Sequence, residues 1–199
     1  MAKKKRGSEK SQRKLLMVGP DAPFQYVEAY KSLRTNLEFL SASTGCKVIL
    51  VTSSVQEEGK SNVAINLAST MASGGKRVVL GDSDLRKGSL SRYLHLSHNR
   101  PGISNIVAGQ ATLNDALVRF KNVQFTLLPV GPLPPNPSEM LSLPAVEQMF
   151  DTLREYYDYI IVDTPPVSVV TDAAVMCRMV DGVVLVVRSG VTTIQGAQL

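Results

Sequence analysis

Apolar residues fall along this chain in two kinds of run, short unbroken ones and longer periodic ones. Val48-Ile49-Leu50-Val51, Arg77 to Gly81, Phe125 to Leu128, Tyr159 to Val162 and Gly182 to Val187 are short, mostly β-branched runs that read as buried strands. Between them the spacing changes to three and four residues. Phe24, Val27, Tyr30, Leu33, Leu37 and Leu40 lay one apolar stripe along a helix from Phe24 to about Ala42. Val63, Leu67 and Met71 continue a second helix opened by Gly59-Lys60-Ser61 and stopped by Gly74-Gly75. Ile103 to Val107 and Leu113 to Phe120 predict short helices, and Thr192 to Leu199 the start of another. A helix from Ser138 to about Tyr157 contains Pro144, which predicts a kink or break there. Strands alternating with helices predict an α/β domain built on a mostly parallel sheet.

The polar residues that interrupt this pattern sit where such a sheet binds ligands, outside the carboxyl ends of the strands. After Val51 comes Ser53-Ser54-Val55-Gln56-Glu57-Glu58, then Gly59-Lys60-Ser61 at the start of a helix. Strand, polar loop and Gly-Lys-Ser at a helix N-terminus make a phosphate-binding loop, because unpaired N–H groups and the helix dipole favour dense negative charge. Gly59 lets the backbone approach a phosphate, Lys60 can place its ammonium on the β- and γ-phosphates, and the Ser61 hydroxyl suits Mg²⁺. Ser54 stands where the motif has its first Gly, so the match is S-x-x-x-x-G-K-S; an ordinary strand-to-helix turn is the plainer alternative. The strand Arg77 to Gly81 delivers Asp82-Ser83-Asp84-Leu85-Arg86, whose two carboxylates, two residues apart, can serve one site or cap a turn. Tyr159 to Val162 ends in Asp163, placed to hold Mg²⁺ directly or through water.

Composition removes several function classes. The chain has 199 residues, 44% hydrophobic and 20% charged, which suits one domain with a core. No apolar run approaches the ~20 residues of a membrane span. Cys46 and Cys177 are lone cysteines, and His95 and His98 have no cysteine or carboxylate cluster beside them, so zinc chemistry is not expected. The net charge of +5 belongs to a tail: residues 2–14 carry seven Lys/Arg against Glu9, a balance of +6, which leaves the rest near −1. Residues 1–20 are therefore expected to be a basic, disordered arm ahead of a domain over 21–199. Acidic lipid and nucleic acid are the alternatives for the arm, but no helix-turn-helix or aromatic-rich RNA motif accompanies it, and no specific nucleic acid is expected. On the first helix, Glu28, Lys31 and Arg34 share one face, either solvated or a contact surface.

EEGKSNVAINLA (57–68), VVLGDSDLR (78–86) and YIIVDTPP (159–166) together resemble the Walker A, A′ and B segments of the bacterial tyrosine kinases. GPLPPNPSEMLS (131–142) and EAYKSLRTN (28–36) are also similar to that family, most closely to the cytoplasmic kinase subunits of capsular and exopolysaccharide synthesis. The resemblance implies a three-layer P-loop NTPase fold that uses ATP and Mg²⁺ to phosphorylate protein tyrosine, itself included. It implies a nucleotide-binding set of Glu57, Glu58, Gly59, Lys60, Ser61 and Asn62, with Mg²⁺ among Ser61, Asp84 and Asp163. Lys60, Asp82 and Asp84 become the catalytic candidates, Asp82 as base or orienter for the tyrosine hydroxyl. Glu28, Lys31 and Arg34 become a ring-forming contact between subunits, with Lys31 where the family's motif has Arg. The resemblance further implies a membrane-anchored polysaccharide co-polymerase that recruits the chain to the inner face of the cell membrane and activates it. The family continues into a further helix, a strand and a tyrosine-rich tail, so a chain ending at Leu199 is expected to be cut short of these. A partitioning-type or septum-positioning switch ATPase and a catalytically silent nucleotide-binding module are the rival readings.

Overall fold

The computed structural model describes residues 15–97 and 100–197. Its centre is a six-stranded sheet of β1 (Val48–Ser53), β2 (Val78–Asp82), β3 (Val118–Arg119), β4 (Thr126–Leu128), β5 (Tyr159–Asp163) and β6 (Gly182–Val186). The spatial order is β3-β4-β2-β5-β1-β6, every pair parallel except β3 with β4. The unbroken apolar runs follow from burial on both faces. Val48, Leu50, Val79, Ile160 and Val162 face one layer, while Ile49, Val51, Val78, Leu80 and Ile161 face the other. The helices are α1 (Phe24–Thr44), α2 (Lys60–Ser73), α3 (Ser89–Tyr93), α4 (Ile103–Val107), α5 (Leu113–Ala116), α6 (Pro137–Leu141), α7 (Pro144–Tyr156), α8 (Asp172–Met176) and α9 (Ile194–Ala197). Ala64, Ile65, Leu67, Ala68 and Met71 of α2 close the second layer; Val146, Met149, Phe150 and Leu153 of α7 close the first with α4 and α8. The three-layer α/β arrangement expected from the sequence is present.

Several elements differ from their pattern. The helix expected over Leu113 to Phe120 stops at Ala116, because Val118–Arg119 instead pairs antiparallel with β4, Val118 opposite Leu127. The expected break at Pro144 is real: Leu143 is extended (φ −71°, ψ 144°), as a residue before proline prefers, and Pro144 starts α7. The run Gly182 to Val187, expected to be buried, is half exposed. Val184 and Val186 face the α2 layer, whereas Val183, Leu185 and Val187 are 50%, 41% and 45% exposed. Val183, Leu185 and Val187 belong to neither packed layer, so the period-2 alternation of β6 separates a covered face from an open one. Only the middle of the α1 stripe packs: Tyr30 is buried and Leu33 and Leu37 reach the α2 layer, but Phe24 is 78% exposed.

The basic arm over residues 1–14 lies outside the described residues, as does His98. Residues 15–18, which the sequence groups with that arm, are laid along α1 and α2. Leu15 and Met17 pack on the second layer, the Val18 N–H donates to Asn66 Oδ1 at 2.6 Å, and the Leu16 carbonyl accepts from Asn66 Nδ2 and Tyr26 OH.

Candidate active site

Three strands end side by side in the middle of the sheet, and each delivers one of the chemistry-bearing segments. In the parallel register Val51 of β1 sits beside Asp163 of β5, and Asp163 sits beside Asp82 of β2. Neighbouring strands are about 4.8 Å apart, so the two aspartates are drawn together by the ladder itself. Both are fully buried. The loop from β1 to α2 then turns back over these ends. It does so through two left-handed residues, Glu57 (φ 65°) and Gly59 (φ 96°), of which only glycine adopts that region freely. Gly59 caps α2 without any side-chain hydrogen bond, leaving the first N–H groups of a 14-residue helix as donors for an anion.

Lys60, the first residue of α2, extends over the strand ends. Its ammonium stands 3.7 Å from Asp84 Oδ2 and 3.7 Å from Asp163 Oδ1, and donates to Ser61 Oγ at 3.4 Å. Lys60, Ser61, Asp84 and Asp163 are thus one cluster, as the motif spacing predicts. Neither oxygen of Asp163 has a hydrogen-bond partner among the described residues. Burial pushes the Asp163 carboxyl above the usual carboxylate range, against the pull of the Lys60 ammonium and the nearby Ser61 hydroxyl. Asp82 shifts the same way, through burial and then the neighbouring Asp163 carboxylate. Its Oδ2 accepts the Leu90 N–H at 2.9 Å and its Oδ1 the Asp84 N–H at 3.3 Å, so it anchors both the A′ turn and the start of α3. Asp84 Oδ1 accepts from the Arg86 and Lys87 N–H groups, leaving Oδ2 to face Lys60.

Other sequence candidates are engaged elsewhere. Glu58 turns inward: Oε2 accepts the Val55 N–H at 2.9 Å, and Oε1 accepts the Arg188 N–H at 3.0 Å and the Thr192 hydroxyl. Burial pushes this carboxyl up, but those donors outweigh it and hold it below the usual range. Its side chain therefore braces the loop against the segment after β6 and does not face the nucleotide side, while Glu57 sits exposed on the crest. Asn62 Oδ1 accepts from Tyr26 OH and Asn66 Nδ2, both at 2.8 Å, so its side chain serves the α1–α2 contact. Arg34 is not free on the helix face: Nη1 donates to the Thr70 carbonyl at 3.0 Å, near the C-terminus of α2, where a cation is favoured. Glu28 and Lys31 pair at 2.8 Å on the exposed side.

Sequence reasoning missed a second brace. Arg86 binds Asp172 with two nitrogens, at 3.1 and 3.0 Å, and Ser138 Oγ donates to the same carboxylate at 2.5 Å. The fully buried Asp172 thereby ties the A′ segment to the Pro-Asn-Pro loop and to α8. The signal was available only as Arg86 in the A′ run and Ser138 after Pro137, which the sequence leaves unconnected.

The chain matches, over residues 46–199, the family model described as an AAA domain. It is 35% identical over 190 residues to tyrosine-protein kinase YwqD of Bacillus subtilis (strain 168), spanning 96% of this chain and 79% of that protein. The chain belongs to the bacterial tyrosine-protein kinases. This kinase is also 36% identical over 173 residues to tyrosine-protein kinase etk of Escherichia coli (strain K12), covering 87% of its own length and 24% of that relative's. The solved kinase domain of Escherichia coli tyrosine kinase ETK shares its fold with a TM-score of 0.83 at 34% identity, covering 86% of this kinase and 67% of that chain. The Pyrococcus furiosus cell division ATPase MinD, at 21% identity and a TM-score of 0.65, is a likeness of fold alone.

Proposed function

We propose that this kinase transfers the γ-phosphoryl group of Mg-ATP to tyrosine hydroxyls of protein substrates, itself included, in the service of capsular or extracellular polysaccharide synthesis. The observation that carries the reading is the Lys60 ammonium held 3.7 Å from two carboxylates, Asp84 and Asp163, at the mouth of an uncapped helix. The α2 N–H groups and Lys60 bind and orient the β- and γ-phosphates. The orphaned Asp163 oxygens, with Asp84 and Ser61, are a donor set that fits Mg²⁺, an ion held by few protein ligands and completed by water and phosphate. When bound, Mg²⁺ supplies neutralisation of the charge that develops on the phosphate oxygens.

The tyrosine oxygen bonds to the γ-phosphorus while the bond from that phosphorus to the bridging oxygen breaks, and ADP leaves with the electron pair. The phenolic proton passes to Asp82, whose carboxyl is made more basic by burial and by Asp163. Until then the Asp82 oxygens hold the Leu90 and Asp84 N–H groups, keeping the turn that aims Asp84 in place. No helix among the described residues is long and apolar enough to cross a membrane, and a membrane-anchored polysaccharide co-polymerase is the proposed recruiter and activator at the inner face. Assembly into a ring would use the exposed Glu28–Lys31 edge of α1, with Arg34 released from Thr70. The test is transfer of γ-labelled phosphate from Mg-ATP to tyrosine peptides and to the co-polymerase's cytoplasmic segment. Labelled phosphotyrosine that disappears with Lys60→Met supports the kinase; ATP hydrolysis without phosphotyrosine points to a switch ATPase.

A further inference from the structure

Beside the site, the loops after β2 and β4 enclose a cleft of about 290 Å³ that none of the roles above uses. Lys87 and Ser91, from the segment after β2, line it together with Pro129, Pro132 and Leu133, from the segment after β4, and with Arg100. Its position follows from the strand order. ATP phosphates bind over β1 and β5, so an acceptor that must reach the γ-phosphate beside Asp84 enters from the β2–β4 side. The cleft begins there: the Lys87 N–H donates to Asp84 Oδ1 at 3.2 Å, and the other oxygen of that carboxylate faces Lys60. Its far wall is fixed. Ile103 and Ser104 N–H groups donate to the Pro129 and Val130 carbonyls, both at 2.9 Å, and Gly102 lies so close that an added Cβ would meet backbone atoms at 2.2 Å.

The lining has a definite chemistry. Lys87 and Arg100 are exposed, and neither forms an ion pair among the described residues, although six other cation–carboxylate contacts are present. In the same lining, Pro132 and Leu133 present apolar surface, Leu133 at 56% exposure. An extended peptide laid along the cleft from the reacting tyrosine meets both cations and apolar surface. We propose that this cleft selects protein substrates in which acidic residues flank the acceptor tyrosine, Lys87 and Arg100 pairing with those carboxylates. The proposal rests on the tyrosine-kinase reading for the meaning of the ligand, and its test is a binding measurement that stands apart from phosphotransfer.

Fluorescence anisotropy with the full chain, Mg²⁺ and a non-hydrolysable ATP analogue would compare a tyrosine peptide with Glu on both flanks against the same peptide with Gln. The Glu peptide is expected to bind roughly 3- to 10-fold more tightly in about 50 mM salt, the range for two exposed ion pairs, and the advantage should shrink as salt rises. The double variant Lys87→Gln/Arg100→Gln should abolish the preference and leave the Gln peptide and nucleotide affinities unchanged. Charge reversal by Lys87→Glu/Arg100→Glu should transfer the preference to a Lys-flanked peptide. Equal affinity for the Glu and Gln peptides, or a preference that survives both variants, would overturn the proposal. So would loss of binding to anionic vesicles, with no change in peptide binding, in the same variants. Phosphotyrosine formation is scored in parallel: an intact preference without it removes the kinase reading and leaves the docking site, and the converse result removes the docking site alone.

Discussion

Asp163→Asn should make the protein more stable and catalytically dead at the same time. The carboxylate has no solvent exposure and neither oxygen is hydrogen-bonded. Its counter-charge is the Lys60 ammonium at 3.7 Å, shared at the same distance with Asp84. At an effective dielectric constant of about 20, one unit-charge pair at this separation gains about 4–5 kcal/mol. Desolvation costs each of three ions several kcal/mol, and one cation cannot neutralise two carboxylates while a third carboxyl, Asp82, stands beside them. The ionised form of Asp163 is therefore a net burden, as its upward pKa shift indicates. Replacement by a neutral amide is expected to add about 1–2 kcal/mol of stability at about pH 8. For a chain of this size that is roughly 2–8 °C in Tm.

The pH dependence identifies the cause. A carboxyl whose folded pKa lies above the unfolded value of about 3.9 keeps more protons in the native state, so stability falls as pH rises from about 4 through the raised value. The amide in the Asp163→Asn variant does not titrate, and the gain over wild type should be largest above that window and vanish at its lower end. Thermal and urea denaturation by circular dichroism, without nucleotide, from about pH 4.5 to about pH 8 measures it. Destabilisation at the alkaline end, or a gain equal at every pH, would refute the reasoning. Saturating Mg-ATP should then stabilise the wild type more than Asp163→Asn, since the site has lost a donor for Mg²⁺.

Asp181 gives the opposite pH signature. Although burial pushes its carboxyl up, bidentate Arg154 and the Val48 and Lys47 N–H groups hold it at about 2. Its contribution is present above about pH 4 and lost as pH falls toward about 2, and Asp181→Ala should cost about 2–3 kcal/mol near neutral pH in urea melts and flatten the acid limb. Gly102→Ala should cost about 3 kcal/mol by the same assay, because the new Cβ would stand 2.2 Å from the Gly131 N and Pro129 O backbone atoms. Glu58→Gln replaces the carboxylate that ties the phosphate loop to Arg188 and Thr192, so KM for ATP should rise about tenfold with kcat little changed. An unchanged KM would show that the brace does not set the loop's geometry.

What the sequence disclosed and what it concealed divide along a physical line. The gathering of Lys60, Asp84 and Asp163 was legible because Asp163 ends β5, Asp84 follows the end of β2 and Lys60 opens the helix after β1, and parallel register brings those three strand ends together. The three layers were legible because β1, β2 and β5 are buried on both faces and so lack alternation. Pro144 marked its helix start because the residue before a proline leaves the helical region. What local pattern leaves undisclosed is mostly contacts of long sequence separation. Glu58 lies in the phosphate loop yet is spent on Arg188 and Thr192, and Arg34 lies on a charged face yet reaches Thr70. β6 reads as an apolar run much like the start of β1, and what exposes Val183, Leu185 and Val187 is that neither packed layer takes them in. The Arg86–Asp172–Ser138 brace joins three segments through one buried carboxylate, which no local pattern encodes.

In the proposed mechanism the Lys60–Asp84–Asp163 cluster moves a phosphoryl group from ATP to tyrosine. Its most direct test is mass spectrometry of tyrosine peptides, the co-polymerase segment and the protein itself after incubation with Mg-ATP carrying heavy oxygen on the γ-phosphate. Phosphotyrosine bearing the heavy phosphate in the wild type, and absent with Lys60→Met and Asp163→Asn, is the expected result. Heavy inorganic phosphate released by the wild type, with no labelled tyrosine on any of these substrates, would rule out phosphotransfer to tyrosine by this cluster.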